Sequence, residues 1–167
     1  MGRPVSVIIL ESTREGLMTG DARPKVLVSG CINGAPIRYN ETNVVVESEI
    51  WDRWVDEGLV VSFCAELAAG FSSPRRPAET VGGDGALVLA GTATVMEDTG
   101  GDVTDRFIHG AQLTLEHAQA NGCVVAVLTD GSPSCGTSYV YDGSFTGGTY
   151  EGMGVVAQLL ADHGIQV

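Results

Sequence analysis

Lysine is nearly missing from this 167-residue chain: of nine basic residues only Lys25 is a lysine, against 21 acidic ones, for a formal net charge of −12. That balance excludes broad, non-specific nucleic-acid binding, which needs a basic face to displace phosphate counterions. It disfavours an anionic membrane surface for the same reason, although a local basic pocket stays compatible with it. Long hydrophobic runs are missing too. Nothing approaches the roughly 20 apolar residues of a membrane span, and the early run Val5–Leu10 is too short for a secretory core and meets Glu11 and Arg14 at once. The expected compartment is therefore the cytoplasm, where thiols stay reduced. Close metal-ligand pairs are also lacking, since no CxxC or HxxxH occurs. What is there is 44% apolar and 18% charged residues, 23 glycines and four cysteines, a composition for one globular domain with a real core.

The first 24 residues differ from the rest and read as an N-terminal extension, an extra strand or a poorly fixed arm. From residue 25 the pattern becomes regular. Residues 25–29 form a short β-branched run bounded by turn residues, hence a strand. A loop follows to Asn43, and Val46, Ile50 and Trp54 then recur every four residues, predicting a helix over 44–57 that Gly58 stops. Residues 59–63 are a second buried strand. The segment 64–83 ends in a loop rich in proline and arginine. Runs 86–90 and 93–97 suggest a hairpin or one bent strand. Asp102 or Thr104 caps a helix whose stripe is Ile108, Ala111, Leu115 and Ala118, ended by Gly122. Residues 123–128 are the most apolar strand, a long Gly/Ser/Thr loop runs to Gly148, and a last helix spans 150–163. Apolar runs alternating with helical patterns predict a single α/β domain over 25–167, with a mainly parallel, Rossmann-like β-sheet flanked by helices.

Three cysteines share one context. Cys31, Cys64 and Cys135 each follow the end of a predicted strand, and in an open parallel sheet those ends share one edge, where ligand crevices form. Their thiols are expected to converge there. Cys123 starts a strand at the opposite edge and reads as a buried core residue. Three converging thiols are compatible with plain packing, with zinc, or with a 4Fe–4S cluster. Zinc usually takes four ligands in close pairs, and His109 and His117 lie on a helix away from these loops. A cubane accepts thiolates from distant segments, and with three ligands it leaves one iron open.

The sequences around these cysteines resemble the DUF523 family. They are Val26–Cys31 with Pro36-Ile37-Arg38-Tyr39, then Phe63-Cys64-Ala65-Glu66 with Pro74–Glu79. Gly101–Thr104 with Phe107 and Gly110-Ala111 follows. Last come Ser132-Pro133-Ser134-Cys135-Gly136, Tyr141-Asp142-Gly143 and Gly154-Val155. The resemblance covers about residues 25–167. It implies a desulfidase that removes sulfur from a thiolated nucleobase such as 2-thiouracil without net redox change, using a 4Fe–4S cluster with one open iron. The implied cluster ligands are Cys31, Cys64 and Cys135, and the implied catalytic residues are Glu66 and Ser132. Ser29 and Ser134 are expected to bind the substrate. The implied partner is a small thiolated pyrimidine, not a nucleic acid or a membrane. The competing reading is an iron–sulfur module that senses redox state or carries iron and sulfide without a substrate. Two departures stand out: Ala65 replaces the family's usual proline, and Thr129-Asp130-Gly131 replaces its basic residues before the last cysteine block. Arg75 and Arg76 are expected to pair with Glu66 or Glu79 rather than hold an anion. The Gly143–Gly148 loop, with Tyr141 and Phe145, reads equally as a lid over a pyrimidine or an ordinary turn.

Overall fold

The computed structural model describes residues 23–167. The proposed N-terminal extension lies almost wholly outside the described residues. The core is a three-stranded parallel sheet in the order β2-β1-β5. Strand β1 (Lys25–Ser29) is central, with β2 (Val60–Phe63) on one side and β5 (Cys123–Val127) on the other. The register pairs Ser29 with Phe63 and Val28 with Val127, so the three strands end side by side. The chain therefore reverses its direction of travel across the sheet at β1, and the crevice beyond the strand ends lies at that switch.

Helix α1 (Glu49–Asp56) starts later than its apolar spacing suggests, because Ser48 caps it by accepting from the Ile50 N–H. Together with Val44 and Val46, its Trp51 and Trp54 cover one face of the sheet. The other face carries α4 (Thr104–Ala120) and α5 (Val155–Asp162). The buried stripe of α4 is Phe107, Gly110, Ala111, Thr114 and Ala118, rotated slightly from the expected one, with Ile108 and Leu115 at its flank. Asp102 accepts from the Thr104 N–H at its start. Gly122 follows its last turn in the left-handed region at φ 68°, as a C′ glycine should.

Four expectations need correction. Residues 86–90 are neither hairpin nor bent strand. They lie in a short helix, α3 (Gly85–Leu89), because Asp84 accepts from the Ala86 and Leu87 N–H groups. The segment after Cys64 holds a short helix α2 (Ala65–Ala68) and a strand β3 (Ala78–Val81), and β3 pairs antiparallel with β4 (Thr94–Glu97). The long loop before the last helix contains an antiparallel hairpin, β6 (Tyr139–Tyr141) with β7 (Thr149–Glu151). The last helix begins only at Val155, with Gly154 as its cap. Among the described residues, no helix is long and apolar enough to cross a membrane.

Candidate functional site

A cavity of about 350 Å³ opens beyond the carboxyl ends of β1, β2 and β5, and Cys31, Cys64 and Cys135 all line it. They come from three different segments. Gly30 N–H extends the sheet ladder to the Phe63 carbonyl at 2.9 Å, which sets the loop bearing Cys31 beside Cys64. A Cβ at Gly30 would lie 2.6 Å from the Ile37 Cδ1 and force that side chain to shift. Cys64 caps α2 and Cys135 sits in a tight turn after β5. All four cysteines are free thiols, and Cys123 is buried in the main core as expected.

Among the described residues, no three His, Cys, Asp or Glu side chains are grouped closely enough to hold a metal ion. Each sulfur nevertheless has hydrogen-bonding groups beside it. Cys31 Sγ lies 2.9 Å from the Thr129 hydroxyl. Cys64 is served by the Leu67 and Glu66 backbone N–H groups at the start of α2, and Cys135 Sγ donates to the Ser134 hydroxyl at 3.9 Å. Burial pushes the Cys64 thiol up, and pushes Cys135 up to about 12, against the hydrogen bonds that favour the thiolates. A bound cation must therefore displace those protons. A donor set of three thiols, already provided with hydrogen-bond partners and lining one chamber, fits a polynuclear iron–sulfur group better than a single ion.

Glu66 lies two residues after Cys64 and its side chain is largely buried, at 14% exposure. Arg75 Nε and Nη2 both donate to its Oε2, while Arg75 Nη1 donates to the Ile37 carbonyl at 2.9 Å. Burial raises the Glu66 carboxyl above its ordinary range even though Arg75 pulls it down. The fork on one oxygen leaves Oε1 without a hydrogen-bond partner among the described residues, on a side chain that lines the cavity. Arg75 thus takes the structural role expected of it. Arg76 pairs with Asp98 at 3.4 Å, and Glu79 instead accepts from the Gly143 and Phe145 N–H groups.

Ser132 lines the same cavity, and its oxygen accepts from the Ser134 and Cys135 N–H groups at 3.1 and 3.2 Å. Its hydroxyl proton remains to be donated. Ser29 also lines the cavity and accepts from Thr129 N–H at 3.2 Å. Ser134 is 1% exposed and is not among the residues that line the cavity; its hydroxyl lies 3.9 Å from Cys135 Sγ, and its carbonyl accepts from Val156 N–H at the start of α5. The Gly143–Gly148 loop, which reads equally as a lid or a turn from sequence, is a hairpin tip that Glu79 ties down. Tyr139 and Tyr141, edge to face at 5.9 Å, contribute one wall of the cavity, but Phe145 does not.

Three further contributors are given no role from the sequence. Thr129 and Asp130 stand where only a departure from the family pattern is legible, and Tyr39 enters from the loop after β1. Asp130 organises the turn that carries Ser132 and Cys135, accepting from the N–H groups of Gly131, Thr137 and Ser138 and from the Ser138 hydroxyl. The cluster of Asp, Gly, Ser and Thr around it was the available signal. A local basic pocket also exists: Arg75, Arg76 and Arg106, with Glu97, line a second, open groove beside the first, and Arg106 lies 3.7 Å over the Phe71 ring.

Residues 26–167 match the 2-thiouracil desulfurase family. The chain is 42% identical over 142 residues to the uncharacterized protein YbbK of Bacillus subtilis (strain 168), covering 85% of this chain and 93% of that one. It also superposes on the solved structure of the [4Fe-4S]-dependent thiouracil desulfidase TudS with a TM-score of 0.78 and 39% identity, over 87% of this chain and 89% of that one.

Proposed function

The chain belongs to the 2-thiouracil desulfurase family, and from that premise we propose that it hydrolyses the thiocarbonyl of a thiolated pyrimidine such as 2-thiouracil. Water replaces sulfur at the ring carbon: the thiocarbonyl plus water gives a carbonyl plus hydrogen sulfide, with no net redox change. The observation that carries this reading is the union of three free thiols and one buried carboxylate around a single cavity. Cys31, Cys64 and Cys135 would hold a [4Fe-4S] group. When bound, that group supplies an iron without a protein ligand, a soft Lewis acid suited to sulfur.

The protein's own part is to position and to move protons. Arg75 clamps Glu66 through one oxygen, so the carboxylate keeps one orientation and its free oxygen serves the attacking water as general base. Burial makes that carboxylate a stronger base than an exposed one. Ser132 cannot turn freely, because two backbone N–H groups hold its oxygen, and its proton is aimed at an acceptor on the substrate or the water. Tyr139, Tyr141 and Phe63 give the cavity aromatic walls for a flat ring.

The test is anaerobic reconstitution followed by incubation with 2-thiouracil and 4-thiouracil while sulfide is measured. Sulfide release by the wild type is expected. Glu66→Gln should retain the cluster and release sulfide about 10²–10⁴-fold more slowly. A reconstituted wild type that releases no sulfide contradicts the enzymatic reading and favours a sensing or carrying module.

A further inference from the structure

Thr129 is not one of the residues through which the reaction was read, yet it contacts both Ser29 and Cys31. Its backbone N–H donates to Ser29 Oγ at 3.2 Å, which ties the start of the loop after β5 to the end of β1. Its hydroxyl then falls 2.9 Å from Cys31 Sγ, across 98 residues of sequence. Ser29 Oγ, having accepted from Thr129, keeps its own proton, on a side chain that lines the cavity together with Cys135. One residue thereby joins the end of β1 to the sulfur of Cys31.

The direction of the Thr129–Cys31 contact depends on the state of the sulfur. A thiol and a hydroxyl can each donate. A thiolate can only accept, so once Cys31 is a metal ligand the hydroxyl is the donor. Hydrogen bonds to cluster sulfurs draw off negative charge, which favours the more reduced state and raises the reduction potential. They also fix the ligand's rotamer, and loss of such outer contacts typically weakens metal binding about 10–100-fold.

We propose that Thr129 is a positioning residue for Cys31, donating its hydroxyl proton to that sulfur in the loaded protein, where it raises the reduction potential of the [4Fe-4S] group and slows its loss. The proposal rests on the reading of Cys31 as a cluster ligand. Thr129 is half-buried and Thr129→Val keeps its shape, so the donor can be removed with little change in packing. Thr129→Ser keeps the donor and loses only a methyl group.

The experiment compares wild type, Thr129→Val and Thr129→Ser after anaerobic reconstitution. It reads iron and sulfide per chain, the midpoint of a reductive titration followed by electron paramagnetic resonance, and the rate of iron loss to a chelator. Thr129→Val is expected to have a more negative midpoint and about 10-fold faster iron loss. Thr129→Ser is expected to behave as wild type. A Thr129→Val midpoint equal to the wild type's overturns the proposal, whatever its melting temperature, and a Thr129→Ser variant that fails to restore the wild-type midpoint does the same. A wild type that binds no iron overturns both this proposal and the functional reading beneath it, whereas a loaded wild type with an indifferent valine variant overturns this one alone.

Discussion

Asp130 shows how much one side chain can hold in place at this site. One carboxylate accepts from three backbone N–H groups and a hydroxyl, and the turn it closes carries Ser132 and Cys135. Burial pushes its carboxyl up, but the hydrogen bonds from Ser138, Thr137 and Gly131 outweigh that and hold it below its ordinary value of 3.8. A carboxyl depressed in the folded state contributes stability that is present above its unfolded value and is lost as pH falls through the folded one. Wild type is therefore expected to exceed Asp130→Asn in chemical-denaturation midpoint at neutral pH, with the gap closing under acid. A gap that does not narrow would show that the charge is irrelevant to the turn. The same residue marks a limit of reading from sequence: an aspartate beside glycine and serine announces a turn, but not which distant N–H groups close it.

At the scale of elements, legibility followed period and length. Strands β1, β2 and β5 were apparent because buried parallel strands are continuous β-branched runs, and α4 because 17 residues give a stable periodicity. The short pieces were not. α2 and α3 have four and five residues, too few for a helical period, and they exist through caps and packing. β3 pairs with β4 across the intervening α3, and β6 and β7 are three-residue arms of a hairpin, too short to show a strand period. This matters for the site, since α2 carries Glu66. Its place is set by Gly110 of α4, where an added Cβ would lie 2.6 Å from the Ala65 carbonyl oxygen. Gly110→Ala is expected to cost about 1–3 kcal/mol through overpacking, and to push α2 outward so that sulfide release falls while the cluster content changes little. Unaltered turnover in a stably folded Gly110→Ala protein would mean that α2 is not positioned by this contact.

For the whole molecule, the order β2-β1-β5 is what makes three cysteines, separated by tens of residues, into neighbours. That much followed from the sequence, since each thiol stood just past a strand. All three thiols line one chamber, and among the described residues no three such side chains are grouped closely enough for a single metal ion. The net charge takes on a structural meaning as well. Two of the few cations, Arg75 and Arg76, are engaged in ion pairs at the cavity's edge. Arg75 in particular serves the Glu66 carboxylate, so the acidic chain places a cation where a buried anion needs one. Ser134 was legible as part of the motif, but its burial was not, since a buried and an exposed serine look alike in a sequence.

The central claim is that Cys31, Cys64 and Cys135, and not Cys123, form one metal-binding site. Iron and sulfide per chain after anaerobic reconstitution, measured side by side for the four single Cys→Ser variants, tests it most directly. Loss of the cluster is expected from the Cys31, Cys64 and Cys135 variants, and wild-type content in Cys123→Ser. Full retention in any of the first three, or loss in Cys123→Ser, would contradict it.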